Sequence, residues 1–231
     1  MTTHDQPAEI IWRETACGPL PVSVRFDDPY FSLQGGLAES RHVFLAGNGL
    51  PDRFRDGFQI AELGFGTGLN LLASALAWQA AGCPGTLHFT SFEAYPARAA
   101  DIARALNAFP EVSAIAAPFL TAWSAGARCF SFGPVEVNII VGDARTTLPL
   151  WHGKADAWYL DGFSPARNPE LWGTDLMAEV ATHTRARGTC ASYTAAGHVR
   201  RALQAAGFQI ERRPGHGRKR HMTAGRLADP E

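Results

Sequence analysis

The sequence predicts an α/β protein built around a mostly parallel β-sheet. From residue 58 onward, apolar segments typical of strands alternate with segments typical of helices, and glycine-rich turns separate the two. Such alternation indicates βαβ units, in which a helix connects two parallel strands. A length of 231 residues and a hydrophobic content of 46% suit a single compact chain with a sizeable core.

The first fifty residues do not follow this rhythm, and we expect residues 1–50 to form an extension that packs on a core of residues 51–231. Within the extension, residues 9–13 and 21–26 are predicted as a strand pair, because a glycine-proline turn lies between two β-prone runs. Residues 35–48 are predicted as a short helix that a glycine or asparagine ends.

The core elements are predicted from apolar periodicity and from the glycines and prolines that bound each segment. In chain order they are strand 58–63, helix 69–81, strand 86–92, helix 96–109, a hairpin of 127–132 and 135–141, strand 155–160, helix 171–185, strand 189–193, helix 196–206 and strand 208–212.

Candidate site residues are those that directly follow the strands, because parallel sheets bind ligands at the carboxyl ends of their strands. The first is the loop Gly64-Phe65-Gly66-Thr67-Gly68. A dinucleotide fingerprint would need its third glycine at position 69, which is Leu69, and a phosphate-binding P-loop would need Lys-Ser/Thr where Leu69-Asn70 stands. Both phosphate-binding interpretations are therefore disfavoured, although a glycine turn can also be no more than a turn.

Acidic residues accompany successive strand ends. Glu62 could accept hydrogen bonds from an ammonium group, Glu93 from two ribose hydroxyls, and Asp143 from an adenine amino group. An amino acid joined to adenosine, as in S-adenosylmethionine, suits this combination of acids and glycines.

The segment after the fourth strand end is the most distinctive. Asp161 ends the strand, and Pro165 and Pro169 stiffen a loop that carries Phe163 and Trp172. An acid beside an aromatic wall could orient an amine and accept its proton. A structural interpretation also stands, in which Asp161 caps the turn and the aromatic residues belong to the core.

At this point the chain resembles a known family, the methyltransferase half of the bifunctional bacterial enzymes that complete 5-methylaminomethyl-2-thiouridine at the tRNA wobble position. Six segments carry the resemblance in the family's order: 27–32, 36–45, the glycine loop, 161–172, 193–201 and 217–222. The segment around Asp161 is the most specific, since common amine methyltransferases have Asn/Asp-Pro-Pro-Tyr there.

The resemblance implies a class I methyltransferase fold, Rossmann-like with helices on both faces of the sheet. It implies S-adenosylmethionine as donor and the 5-aminomethyl-2-thiouridine of position 34 in tRNA as acceptor, with Asp161 beside the reacting methyl group and amine. The implied donor-binding residues are Glu62, Gly64, Phe65, Gly66, Thr67, Gly68, Asn70, Glu93, Asp143 and Asp161.

Charge is distributed unevenly along the chain. Residues 185–231 carry ten Arg or Lys and three acidic residues, while the net charge of the whole chain is −1. Such asymmetry can indicate a phosphate-binding face, although charge alone favours the alternative, a set of solvated side chains. With the resemblance, we expect substrate or tRNA anticodon-arm contacts from Tyr30, Phe163, Arg212, Arg213, Arg218, Lys219 and Arg220.

Further expectations concern partners and location. The family's bifunctional members also have a flavin-dependent oxidase half, whose fingerprint this sequence lacks, so we expect a stand-alone methyltransferase or an excised domain, with a separate FAD-dependent oxidase acting upstream. No metal is expected, because the eight histidines show no ligand spacing. An N-terminus without a basic leader and the absence of a long apolar run predict a cytoplasmic protein without membrane contact. Two alternatives remain open here: a methyltransferase acting on another amine, and a catalytically silent RNA-binding module of the same fold.

Overall fold

The computed structural model describes residues 7–16, 18–32 and 35–229. The strands among them are, in chain order, β1 (Ile10–Thr15), β2 (Gly18–Ser23), β3 (Asp28–Pro29), β4 (Phe58–Leu63), β5 (Leu87–Glu93), β6 (Cys129–Phe132), β7 (Val135–Val141), β8 (Ala155–Leu160), β9 (Thr184–Ser192), β10 (Phe208–Pro214) and β11 (His221–Leu227). The α-helices are α1 (Gly36–Glu39), α2 (Leu69–Ala80), α3 (Ala99–Leu106), α4 (Pro110–Ser113), α5 (Ala117–Ser124), α6 (Ala144–Thr147), α7 (Thr174–Thr182) and α8 (Gly197–Ala205).

The central sheet has the strand order β10-β11-β9-β8-β4-β5-β7-β6. β4 pairs in parallel with both β5 and β8, and the pairs β5–β7 and β8–β9 are parallel as well. Strands β6, β10 and β11 pair antiparallel with their neighbours. The chain reverses its direction across the sheet at β4, which is the position where ligands bind in such folds.

A hydrophobic core covers each face of the sheet. Alternate residues of the central strands point to opposite faces, so these strands contribute side chains to both cores. On β8, Tyr159 belongs to one core with Leu71 and Leu72 of α2, while Trp158 belongs to the other core with Met177 of α7. Leu203 of α8 packs in the second core as well. Helices therefore lie on both faces of a mostly parallel sheet, and the predicted fold class is confirmed.

The N-terminal elements form a separate three-stranded sheet followed by a helical segment. Trp12 of β1 donates to Asp101 of α3 over 3.2 Å, and Arg104 of α3 lies 4.1 Å from the centre of the Trp12 ring. After α1 the chain continues as a π-helix over Ser40–Leu45 and a 3₁₀ turn over Ala46–Asn48. The side chains of Val43, Phe44 and Leu45 lie in the same core as α2.

Several predicted boundaries are wrong. The predicted helix 171–185 is a 3₁₀ turn over Pro169–Trp172 followed by α7, and the chain already enters β9 at Thr184, because the His183 carbonyl accepts from Ala155 N of the neighbouring strand. The predicted helix 96–109 starts only at Ala99, since Arg98 is extended. Helices α4 to α6 and strand β11 were not predicted.

Among the described residues there is no helix with the length and apolar character that crossing a membrane requires.

Candidate active site

A cavity of about 800 Å³ opens at the carboxyl ends of the parallel strands. Its walls come from the glycine loop after β4, from Glu93 and Tyr95 after β5, from Asp143 and Arg145 after β7, and from Asp161 and Phe163 after β8. Residues of the N-terminal sheet and of the β10–β11 loop complete it, among them Asp28, Tyr30, Arg218 and Lys219. The volume lies within the range of small-molecule binding sites.

The glycine loop makes a close approach to the segment after β8. Gly64 has φ +89°, and a Cβ atom there would collide with the backbone carbonyl oxygen of Asp161. Gly66, at φ +55°, passes so close to Tyr30 that a Cβ would lie 3.3 Å from its ring. Only glycine combines these conformations with this proximity at low cost. Gly68, also at positive φ, directly precedes α2. It packs against Phe119, since a Cβ atom at this position would lie 3.0 Å from the Phe119 ring.

Glu62, at the end of β4, is fully buried behind the cavity wall. Its carboxylate accepts from Asn70 Nδ2 at 2.9 Å and from Ser91 Oγ at 2.7 Å. Glu62 is not among the residues that line the cavity, and the expected contact with a ligand ammonium stays a prediction. Burial, followed by the nearby Asp161 charge, raises the pKa of Glu62 well above its ordinary value.

Asp161 and Glu62 share one hydrogen-bond donor. The same Asn70 Nδ2 that reaches Glu62 donates to Asp161 Oδ2 at 2.7 Å. Unlike Glu62, Asp161 lines the cavity. Burial is the largest cause that raises the pKa of Asp161, to about 7, while the hydrogen bond from Asn70 acts in the opposite direction. Burial therefore favours the protonated form of this carboxyl group more than water does.

Glu93 stands at the carboxyl end of β5 and lines the cavity beside the glycine loop. Its oxygens accept from the backbone N–H of Gly66 at 3.0 Å and of Tyr95 at 2.8 Å. Burial raises the pKa of Glu93, and these backbone hydrogen bonds partly offset the effect. The side chain thus ties the glycine loop to β5 and presents acceptor oxygens to the cavity.

Asp143 follows β7, lines the cavity and caps α6 by accepting from Arg145 N at 2.9 Å. Its second oxygen is 2.6 Å from Arg145 Nη2, which also lies 3.1 Å from Glu170. The contact of Arg145 with Asp143 was not predicted from the sequence.

The loop after Asp161 carries an aromatic wall. The Phe163 ring stacks on Phe26 at 4.7 Å between centroids and meets Tyr30 edge-on at 5.1 Å. Trp172 is a buried anchor, whose Nε1 donates to the Phe163 carbonyl at 2.9 Å. Of the two aromatic residues singled out in this loop, Phe163 therefore faces the cavity and Trp172 belongs to the core.

Lys219 has partners within the protein. Its Nζ lies 2.7 Å from Glu39 Oε1 and 3.9 Å from the centre of the Tyr193 ring, while its side chain is 40% exposed, and its expected contact with tRNA phosphates stays a prediction. Glu39 and Tyr193 line the cavity and were not singled out from the sequence, although both lie within segments that carried the family resemblance. Nothing in their spacing pointed to Lys219, 180 residues beyond Glu39.

The remaining basic candidates lie at the same edge of the sheet. Arg218 lines the cavity, and Arg212 and Arg213 stand near the end of β10. Arg212, Arg218 and Arg220 are exposed, and Arg213 pairs with Glu211 at 2.8 Å. Within the part of the chain that the structure describes, no cluster of three or more His, Cys, Asp or Glu side chains is arranged to bind a metal ion.

Comparison with known proteins defines the class. Residues 110–228 match a family described as S-adenosyl-L-methionine-dependent methyltransferase, and the chain belongs to that family. Its methyl donor is S-adenosylmethionine.

More specific similarity confirms the resemblance found in the sequence. The chain is 44% identical over 97% of its length to the tRNA 5-methylaminomethyl-2-thiouridine biosynthesis bifunctional protein MnmC of Aeromonas hydrophila, covering 36% of that protein. It is also 44% identical over 94% of its length to the MnmC of Caulobacter vibrioides, covering 38%. The chain thus spans little more than a third of these relatives. The crystal structure of MNMC2 from Aquifex aeolicus is similar over 98% of this chain and 73% of that one, with 25% identity and a TM-score of 0.77.

Proposed function

We propose that this chain methylates the exocyclic amine of 5-aminomethyl-2-thiouridine at position 34 of tRNA, giving 5-methylaminomethyl-2-thiouridine. The observation that carries the proposal is the position of Asp161, whose carboxyl group lies between the glycine loop and the aromatic wall in one cavity. The names of the relatives at 44% identity supply the substrate class.

The residues at the carboxyl ends of β4, β5 and β7 suit the binding of S-adenosylmethionine. Gly64 lets the glycine loop pack directly against the Asp161 carbonyl, Glu93 offers acceptor oxygens for ribose hydroxyls, and Asp143 lies at the next strand end for the adenine amino group. Phe65, Thr67 and Asn70 complete this wall, and Glu62 and Gly68 support it from behind. S-adenosylmethionine supplies a methyl group on a positively charged sulfur.

Asp161 is proposed to orient the acceptor amine and to accept its proton. A nitrogen must be in its free-base form to attack, so a base near it is required. A carboxyl pKa of about 7 suits this task at neutral pH, because the group can both take and release a proton. Asn70 holds Oδ2, which leaves Oδ1 as the atom we assign to the amine proton. Tyr30 and Phe163 form the wall against which we place the uracil ring.

The arginines around the β10–β11 turn are proposed to contact phosphates of the anticodon arm. Arg212, Arg213, Arg218 and Arg220 surround the β10–β11 turn at this edge, and phosphate contacts position an RNA without reading its sequence. A cytoplasmic location and an upstream FAD-dependent oxidase, on another chain or on a longer one, belong to the same proposal.

The test is methylation of tRNA bearing 5-aminomethyl-2-thiouridine with a labelled methyl donor. We expect Asp161→Asn to retain donor binding and to lose about 10²- to 10⁴-fold in turnover, the usual contribution of a general base. Asp175→Asn, on the exposed face of α7, is the matched control and should retain wild-type turnover. Full turnover by Asp161→Asn would remove Asp161 from catalysis. If the label appears in an added small amine but not in tRNA, the proposed tRNA substrate is wrong.

A further inference from the structure

The cavity has an aromatic cluster next to the N-terminal sheet that the proposed reaction does not use. Phe26, in the turn between β2 and β3, and Tyr95, after β5, have ring centroids 6.1 Å apart. Phe26 also stacks on Phe163 at 4.7 Å. All three side chains line the cavity and are partly exposed. Phe26 and Tyr95 therefore continue the wall of Tyr30 and Phe163 toward the end of β5.

Arg25, in the same β2–β3 turn, adds a cation to this cluster. Its guanidinium carbon lies 4.5 Å from the centre of the Tyr95 ring and 5.8 Å from that of Phe26, both within cation–π distance. Arg25 is exposed and lines the cavity. Among the described residues it forms no ion pair with a carboxylate, whereas Arg13 and Arg145 do. Its planar cation is thus left for a group from outside the chain.

This combination of rings and a planar cation matches a base of unpaired RNA. An enzyme that modifies a base must take it out of the stack, so the neighbouring bases lose a stacking partner. Proteins that bind unpaired RNA replace such partners with aromatic rings and with the guanidinium planes of arginines. Because the wall of Tyr30 and Phe163 is assigned to the methylated uracil, the adjoining Phe26 lies where a neighbouring nucleotide would follow.

We propose that Arg25, Phe26 and Tyr95 form a stacking platform for the base of a nucleotide adjacent to position 34 of the tRNA. This proposal rests on the proposed function. It adds an RNA contact from the side of the N-terminal sheet to those of the arginines around the β10–β11 turn. Arg25 contributes its planar face to this contact, which distinguishes it from an arginine that binds a phosphate.

The first test is the affinity of each variant for fluorescent tRNA bearing 5-aminomethyl-2-thiouridine, with thermal melting to show that the variant is folded. We expect Arg25→Ala to raise Kd by about 5- to 150-fold, the range for one stacked base. Arg25→Lys keeps the charge but not the planar group, and it should lose most of the same affinity. Wild-type affinity of Arg25→Lys would show that Arg25 acts only as a charge and would overturn the proposal.

Arg104→Ala is the matched control. Arg104 is also exposed and lies over an aromatic ring, 4.1 Å from the centre of Trp12, but it does not line the cavity. We expect this variant to bind tRNA like the wild type. A loss of affinity equal to that of Arg25→Ala would show that the position beside the cavity does not matter, and the platform would be wrong.

The second test removes the partner base from the RNA. Two further tRNAs each carry an abasic site in place of one of the two nucleotides beside position 34. On one of them the effect of Arg25→Ala on Kd should fall below about 2-fold, because the base that stacks on Arg25 is gone and the two changes are no longer independent. An undiminished effect of Arg25→Ala on both abasic tRNAs would overturn the proposal.

Donor binding is measured separately, because Tyr95 lies close to Glu93 and Arg25 would then cover the ribose of the donor instead of an RNA base. Calorimetry with S-adenosylmethionine alone should give the same Kd for the wild type and for Arg25→Ala. Weaker donor binding by the variant would assign Arg25 to the donor site and overturn the proposal. If the wild type methylates the intact tRNA and these tests fail, only the platform is wrong. If the wild type neither binds nor methylates that tRNA, the proposed function is wrong as well.

Discussion

Asn70 holds together two carboxyl groups that are 99 residues apart in the sequence. Its side chain lies in the first turn of α2 and donates to Glu62 and Asp161 from one nitrogen. In the sequence, Asn70 was an implied donor-binding residue and stood where a P-loop has a hydroxyl residue, but its contacts with Glu62 and Asp161 were not predicted. Its role depends on β4 and β8 being neighbours in the sheet, which residue spacing alone does not reveal.

Gly64 should be the least replaceable glycine of the loop. We expect Gly64→Ala to lower the free energy of unfolding by about 1–2 kcal/mol for its positive φ and by about 1–3 kcal/mol more for the collision with the Asp161 carbonyl. Donor affinity should fall as well, because the collision displaces the cavity wall. Urea denaturation and calorimetry with S-adenosylmethionine measure the two effects.

Gly126→Ala is the control for this substitution. Gly126 has a similar φ of +82°, is exposed and has nothing within 4 Å of the added Cβ. It should show the backbone cost alone and bind the donor normally. Equal destabilisation by the two substitutions would contradict the close contact between Gly64 and the Asp161 carbonyl.

At the scale of secondary structure, the sequence predicted best three parallel strands of the central sheet. The predicted bounds 58–63, 135–141 and 155–160 equal those of β4, β7 and β8, because each strand is mostly apolar and because glycine or proline bounds β4 and β7 on both sides. Strand β11 was missed because it mixes Thr, Arg and Gly225, and it forms only by inserting between β9 and β10. That pairing depends on distant residues.

The candidate site was predictable to the extent that strand ends define it. Glu93, Asp143 and Asp161 each follow a parallel strand, and all three line the cavity. Glu39 and Lys219 could not be predicted in the same way, because they come from a short helix and from a turn between antiparallel strands. For elements outside the βαβ units, no rule predicts from the sequence which side chains reach the site.

The small N-terminal sheet should hold the segment Asp161–Ser164 in place through Asp28. Its Oδ2 accepts from the backbone N–H of Ser164, three residues after Asp161, at 2.7 Å. We expect Asp28→Ala to reduce kcat/KM by about 10- to 100-fold, because small displacements of reacting groups are costly. Unfolding free energy should fall by about 1.5–3 kcal/mol, as for other hydrogen bonds to a charged group.

Asp27→Asn tests whether any acidic residue of this segment has the same effect. Asp27 pairs with Arg13 and Arg167, all with about half of the side chain exposed, and exposed ion pairs contribute little. Asparagine also tolerates the positive φ of this position. A loss of activity equal to that of Asp28→Ala would show that the Ser164 contact is not the cause.

Across the whole molecule, the basic C-terminal part of the sequence is divided between two opposite edges of the sheet. Arg185 and Arg187 lie at the start of β9, at the edge away from the cavity, since β9 runs parallel to β8. Arg218 and Arg220 lie in the turn between β10 and β11, at the cavity edge, because Pro214 pairs with His221 there. The net charge of residues 185–231 therefore does not show which edge of the sheet binds RNA. The directions of β9, β10 and β11 show which arginines lie at the cavity edge.

This division gives a charge-matched test of the tRNA surface. The double variant Arg218→Ala/Arg220→Ala should weaken tRNA binding and reduce the slope of log Kd against log salt concentration by about 1.5, the value for two lost phosphate contacts. Arg185→Ala/Arg187→Ala removes the same charge from the opposite edge and should leave the slope at its wild-type value. Binding of fluorescent tRNA across a salt series measures both. Equal reductions in the two double variants would mean that net charge, rather than the cavity edge, attracts the RNA, and the proposed docking of the anticodon arm would then be wrong.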